Sequence, residues 1–116
     1  MELSIASLQS VGAFTGAPVQ REITWESGAE TYTATIFVRR LSYKSAIGDI
    51  EAARDKTDPI AARIAASICD AGGVPVFTPG DITGDADPAR GPLDAALTWA
   101  LLAAITEVNA LGKPAS

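Results

Sequence analysis

The stretch from 69 to 87, CDAGGVPVFTPGDITGDAD, gathers four aspartates, four glycines and two prolines around one short apolar run. Carboxylates at this density are the ligands that hard cations such as calcium require. A calcium loop of the EF-hand type needs oxygen ligands at its first, third and fifth positions, glycine at the sixth and glutamate at the twelfth. Counted from Asp81, the ligand positions fall on Asp81, Thr83 and Asp85, but the sixth is Ala86 and the twelfth is Pro92. The pattern fails at its two most diagnostic places. Aspartate beside glycine and proline forms turns and caps helices, and that reading accounts for the stretch without a metal.

Other chemistry finds equally little to stand on. The chain has no histidine, which removes Ser-His-Asp and Cys-His catalysis together with the commonest metal ligand. The single cysteine, Cys69, is expected on the apolar side of a helix as a small buried hydrophobe, and one cysteine cannot form a disulfide within a chain. Asp49 and Glu51 are two apart on an expected helix and face different directions, so they cannot act as a paired acid and base. Gly72-Gly73 lacks the lysine and the helix start of a phosphate loop. No cofactor is expected. Arg39-Arg40 carries a strand into a helix with one side chain to each side; a plain surface pair is the commoner reading, and binding of a partner carboxylate is the other.

The formal net charge of -5 would repel a phosphate backbone, so nucleic acid is not an expected partner. The longest apolar run, residues 95–105, is interrupted by Thr98 and falls well short of the roughly 20 residues that span a bilayer. No basic segment precedes an apolar one at the start, so a soluble cytoplasmic protein is expected, with no membrane partner.

The elements follow from periodicity. A chain of 116 residues suits one core. Residues 1–18 are weakly patterned and predict a short helix or a docked arm. From Val19 the period is two, with Val19, Ile23 and Trp25 on one face; Ser27-Gly28-Ala29-Glu30 turns the chain, and Tyr32, Ala34, Ile36 and Val38 alternate with threonines. This predicts a β-hairpin. After Leu41 the period becomes helical. Ser42 can cap a helix with Tyr43, Ala46, Ile47, Ile50 and Ala53 on its apolar side. Asp58-Pro59 opens a second helix with the stripe Ile60, Ile64 and Ile68. Residues 74–77 are too short for more than a bridge or an extra edge strand, and Thr78-Pro79-Gly80-Asp81 has the capping-box pattern. The last and longest helix is expected from residue 92 to about 111, with Gly112 placed to end it.

The predicted fold is therefore α+β: an N-terminal antiparallel β-hairpin packed on three or four α-helices, the longest at the C-terminus. The division is an arm at 1–18, one domain at 19–112 and a flexible tail at 113–116. The expected core comprises Ile23, Ile36, Val38, Ile47, Ile50, Ile64, Ile68, Phe77, Leu97, Leu101 and Ile105. Trp99 and Leu102 lie outside the main stripe of the last helix, and with Trp25 and Phe37 on the hairpin they exceed what a small core usually hides. Either these side chains form a binding surface, or the domain wraps its last helix on two sides. Trp25, Phe37, Arg39, Trp99 and Leu102 are the candidate partner-binding residues.

Several segments carry a likeness: residues 12–25 (GAFTGAPVQREITW), 37–43 (FVRRLSY), 64–70 (IAASICD), 75–78 (PVFT), 81–82 (DI) and 97–109. In order and spacing the chain resembles the tail assembly chaperones of long-tailed bacteriophages and their prophages, over nearly its whole length. The resemblance implies a non-enzymatic helper that binds the aggregation-prone tape measure protein, assists the tail tube protein in polymerising around it, works in the cytoplasm of the bacterial host and is absent from the mature virion. It also implies two forms of the protein, the longer made by a ribosomal frameshift, for which Gly112-Lys113 is the candidate position. The apolar surplus fits a homo-oligomer as well. A virion structural protein, such as a minor tail or head-tail joining component, is the alternative function.

Overall fold

The computed structural model describes residues 2–14, 16–56 and 58–109. Its elements in chain order are α1 (Ile5–Ser10), β1 (Val19–Ser27), β2 (Glu30–Val38), α2 (Tyr43–Arg54), α3 (Pro59–Ser67), β3 (Ile68–Cys69), α4 (Pro79–Thr83) and α5 (Ala95–Val108). The α+β architecture is as the sequence predicts, with an antiparallel hairpin, the longest helix last and one additional short strand.

Strands β1 and β2 pair from Val19↔Val38 to Ser27↔Glu30, leaving only Gly28 and Ala29 as the loop. Gly28 has φ +64°, the conformation that a two-residue hairpin turn with glycine at its first central position requires. The register puts Val19, Arg21, Ile23 and Trp25 on the same face as Val38, Ile36, Ala34 and Tyr32. Ile23, Ile36 and Val38 are buried there, and the ring of Trp25 stacks on that of Tyr32 at 5.5 Å. The opposite face is polar apart from the half-buried Phe37, with Gln20, Glu22, Thr24, Glu26, Thr31, Thr33 and Thr35 all exposed. Such alternation gives the hairpin one adhesive side and one wetted side.

Helix α5 covers β1 and α3 meets α5 from the other side. Ala61, Ile64, Leu101, Ala104 and Ile105 join the hairpin residues in the core, with Ile82 of α4 beside them. Burying Ile64 and Leu101, at 0% and 1% exposure, stabilises the fold by about 2 to 3 kcal/mol each. Phe77 and Leu97 reach this core partly buried, and Ile47 is half-buried.

Two expectations fail in this region. Ile50 is 56% exposed and Ile60 is 55% exposed. Among the described residues, helix α2 packs chiefly on α3, and this contact leaves Ile50 exposed. Ile60, in the first turn of α3, lines an open notch beside Asp49 and Ala53 of α2. Ile68 and Cys69, expected on a helix, form β3 instead. Helix α3 stops at Ser67, and Ile68 and Cys69 pair antiparallel with Val38 and Phe37. Both are buried all the same, because the chain leaves the helix straight into the core. Pro75 makes an isolated bridge to Cys69, as the shortness of its segment suggests.

The helix starts are local. Asp58 Oδ1 accepts from the amides of Ile60 and Ala61, both at 2.9 Å, with Pro59 at the first helical position. Thr78 and Asp81 cap α4 reciprocally. Helix α5 begins three residues later than expected, because Asp94 is its cap and accepts from Leu97 N at 3.0 Å. It ends at Val108 with Asn109 as its cap, short of the expected end near Leu111; the stop at Gly112 and the tail at 113–116 lie outside the described residues.

Gly84 ends α4 with φ +93°. A Cβ there would stand 2.7 Å from Pro92 N and 2.9 Å from Gly91 C, so only glycine lets the chain entering α5 cross this close to the end of α4.

The radius of gyration is 16.0 Å, against roughly 13 Å for a compact chain of this length. The N-terminal segment forms a short helix, one of its two expected states, opened by a capping box at Ser4 and Ser7, and that helix buries none of its residues.

Candidate interaction surface

The aspartates of the loop are each committed to local hydrogen bonds. Asp70 Oδ1 accepts from the amides of Gly72 and Val74 at 2.9 and 3.0 Å. Asp81 accepts from Thr78 N at 2.8 Å and from Arg90 Nη2 at 2.7 Å. Asp85 accepts from the Thr83 hydroxyl and Asp87 from Ala89 N. These are the cap and turn bonds that aspartate makes next to glycine and proline. The Thr78 amide, then the Arg90 guanidinium, holds the Asp81 carboxyl below its ordinary value. Among the described residues no group of three or more histidine, cysteine, aspartate or glutamate side chains is arranged to hold a metal ion. Burial pushes the Cys69 thiol up from its usual value, with Arg39 opposing. The Cys69 Sγ donates to Phe37 O at 3.6 Å, so this cysteine packs as a small hydrophobe.

Apolar exposure is the more unusual feature. Among the described residues, eleven large apolar side chains are exposed, including Leu3, Ile5, Val11 and Phe14 on the N-terminal arm, Tyr43 at the start of α2, Val74 and Val76 after β3, and Trp99 on α5. They are distributed over the arm, the hairpin, the helices and the segment after β3.

Two concavities lie on the surface. An open groove of about 670 Å³ runs between the arm and the segment after β2, lined by residues that include Phe14, Arg39, Arg40, Tyr43 and Pro75. A smaller notch of about 350 Å³ lies between α2, α3 and α5, lined by Ala53, Pro59, Ile60 and Leu102 among others. The Arg63–Asp49 ion pair belongs to its wall.

The five candidate residues do not converge on one site. Trp99 is 71% exposed. Leu102, one turn on, is half-buried against the core and lines the notch. Trp25 packs on the inner face of the hairpin and Phe37 belongs to the opposite face, half-buried. Arg39 is exposed and lines the groove.

Sequence reasoning missed Phe14 and Tyr43 as surface residues and the groove they flank. One signal was present. No charged residue occurs from 3 to 20, which is unusual for a segment as exposed as this arm.

No helix is long and apolar enough to cross a membrane among the described residues. The family described as phage tail assembly chaperone, TAC, matches residues 6–109. The chain belongs to the phage tail assembly chaperone family. No curated protein and no solved structure matches it.

Proposed function

We propose that this chaperone binds the tape measure protein and assists the tail tube protein in polymerising around it, without catalysing a reaction. The observation that carries the reading is a folded acidic domain that leaves eleven large apolar side chains exposed among its described residues. A client with long apolar segments would cover them. The net charge of -5 would keep the resulting complex from aggregating. The protein acts in the cytoplasm of the bacterial host and leaves before the virion is complete.

Two measurements test this. A tagged copy expressed in infected cells should capture the tape measure protein from the lysate, and purified particles should lack the chain by mass spectrometry. Particles that contain it in fixed stoichiometry would make it a virion structural protein instead.

A further inference from the structure

We propose that the groove between the N-terminal arm and the segment after β2 is a docking site for an extended peptide segment that carries a carboxylate between apolar side chains. This rests on the client-binding function proposed above and names the kind of segment the groove takes.

Arg21, Arg63 and Arg90 each have a carboxylate partner, in Glu107, Asp49 and Asp81. Arg54 stands in the last turn of α2, where a cation meets the helix dipole favourably. Arg39 and Arg40 have no carboxylate partner among the described residues, and both line the groove. Asp70, in the adjoining loop, spends its Oδ1 on the amides of Gly72 and Val74. In a chain of net charge -5, two guanidinium groups without a carboxylate partner, one near Gly73 and one near Gly12, give the lining of this one groove a positive character that suits carboxylate oxygens.

The walls are apolar. Phe14 is 52% exposed on the arm side and Tyr43 is 80% exposed at the start of α2, and Pro75 also lines the groove. A volume of about 670 Å³ accommodates several side chains of an extended segment.

The basic wall is also held in place. Arg39 N donates to Ser67 O at 2.8 Å, Asn109 Nδ2 donates to Arg39 O at 3.2 Å, and Leu41 N donates to Asn109 Oδ1 at 2.6 Å. The Arg39 guanidinium lies over Gly73, where an added Cβ would be 3.4 Å from Nη2. Arg40 Nη2 reaches Gly12 O at 3.5 Å and joins this wall to the arm. A pre-positioned backbone lowers the ordering cost of binding.

The test uses the full chain and two acetylated, amidated pentapeptides, one of alternating leucine and glutamate and one with glutamine in place of glutamate, titrated by calorimetry. The glutamate peptide should bind at least about tenfold more tightly than the glutamine peptide, with the preference shrinking as salt rises. The double variant Arg39→Glu/Arg40→Glu, its fold checked by circular dichroism, should lose that preference and favour a lysine peptide. Equal binding of the glutamate and glutamine peptides, or a preference unchanged in the double variant, would overturn the proposal. So would sedimentation showing that charge reversal dissociates a dimer of the free chain, since a second copy would then occupy the groove. A double variant that loses the peptide preference yet still solubilises the tape measure protein overturns the groove as the client site and leaves the chaperone function standing. Failure of the wild-type chain to solubilise that client sinks the function itself.

Discussion

Asn109 accepts the backbone amide of Leu41 at 2.6 Å through Oδ1, joining the end of the last helix to the segment that leaves the hairpin, 68 positions earlier. Its Nδ2 donates in the other direction, to the carbonyls of Arg39 at 3.2 Å and Ile105 at 3.1 Å. One side-chain amide thus satisfies backbone groups from two elements. Asn109→Ala should lower stability by about 1 to 2 kcal/mol, because the part-buried Leu41 amide loses its acceptor. Asn109→Asp keeps the acceptor but turns a carboxylate toward two carbonyl oxygens, and should cost as much or more. Urea denaturation checks both, and variants as stable as the wild type would contradict the bond's role.

Glycine substitutions should split in sign. Gly84→Ala must place a Cβ 2.7 Å from Pro92 N at φ +93°, and a loss of at least about 2 kcal/mol is expected. Gly48 lies within α2 and an added Cβ meets nothing within 4 Å, so Gly48→Ala should stabilise by about 0.5 to 1 kcal/mol. Thermal melts of the pair provide the comparison, and melting shifts of the same sign would refute it.

The reach of sequence reasoning follows the same division between local and distant causes. Asp58 and Thr78 were legible as caps because each acts on amides two or three residues away, and the hairpin was legible from its period of two and its glycine. Ile68 and Cys69 were misread as helical because Ile60, Ile64 and Ile68 keep a spacing of four, while the strand partner that competes for them, β2, is distant in sequence. Ile50 shows a second limit: periodicity identifies an apolar side of α2 but not whether any element covers all of it. The groove was invisible for a related reason, since Phe14 and Tyr43 meet across it only after the hairpin has folded between them.

The capping box of α4 should register in an acid titration. Because the Asp81 carboxyl in the folded chain titrates below its ordinary value, its contribution is complete above the unfolded carboxylate value and disappears as pH falls through the lower, folded one. Carbon-detected NMR should place the Asp81 midpoint below that of a free aspartate, and Arg90→Ala should raise it part of the way back. A midpoint at or above the ordinary value would show that the Thr78 amide and Arg90 do not hold this carboxylate.

Trp99 and Leu102, adjacent on α5, should behave differently. Trp99→Glu changes an exposed side chain and should leave the urea midpoint within about 0.5 kcal/mol of the wild type. Leu102→Glu places a charge against the core and should cost about 2 kcal/mol or more. Similar losses from both would mean that Trp99 is covered in the free protein.

The most direct measurement of the central claim is the soluble fraction of the tape measure protein when it is expressed with and without this chain. Co-expression with the wild-type chain should move the client from the pellet to the supernatant. The variant Phe14→Glu/Tyr43→Glu, altered only at exposed positions and folded by circular dichroism, should leave it in the pellet. A client equally soluble with the variant would show that the groove between the arm and α2 does not hold it, and a client equally soluble without the chain would contradict the chaperone account altogether.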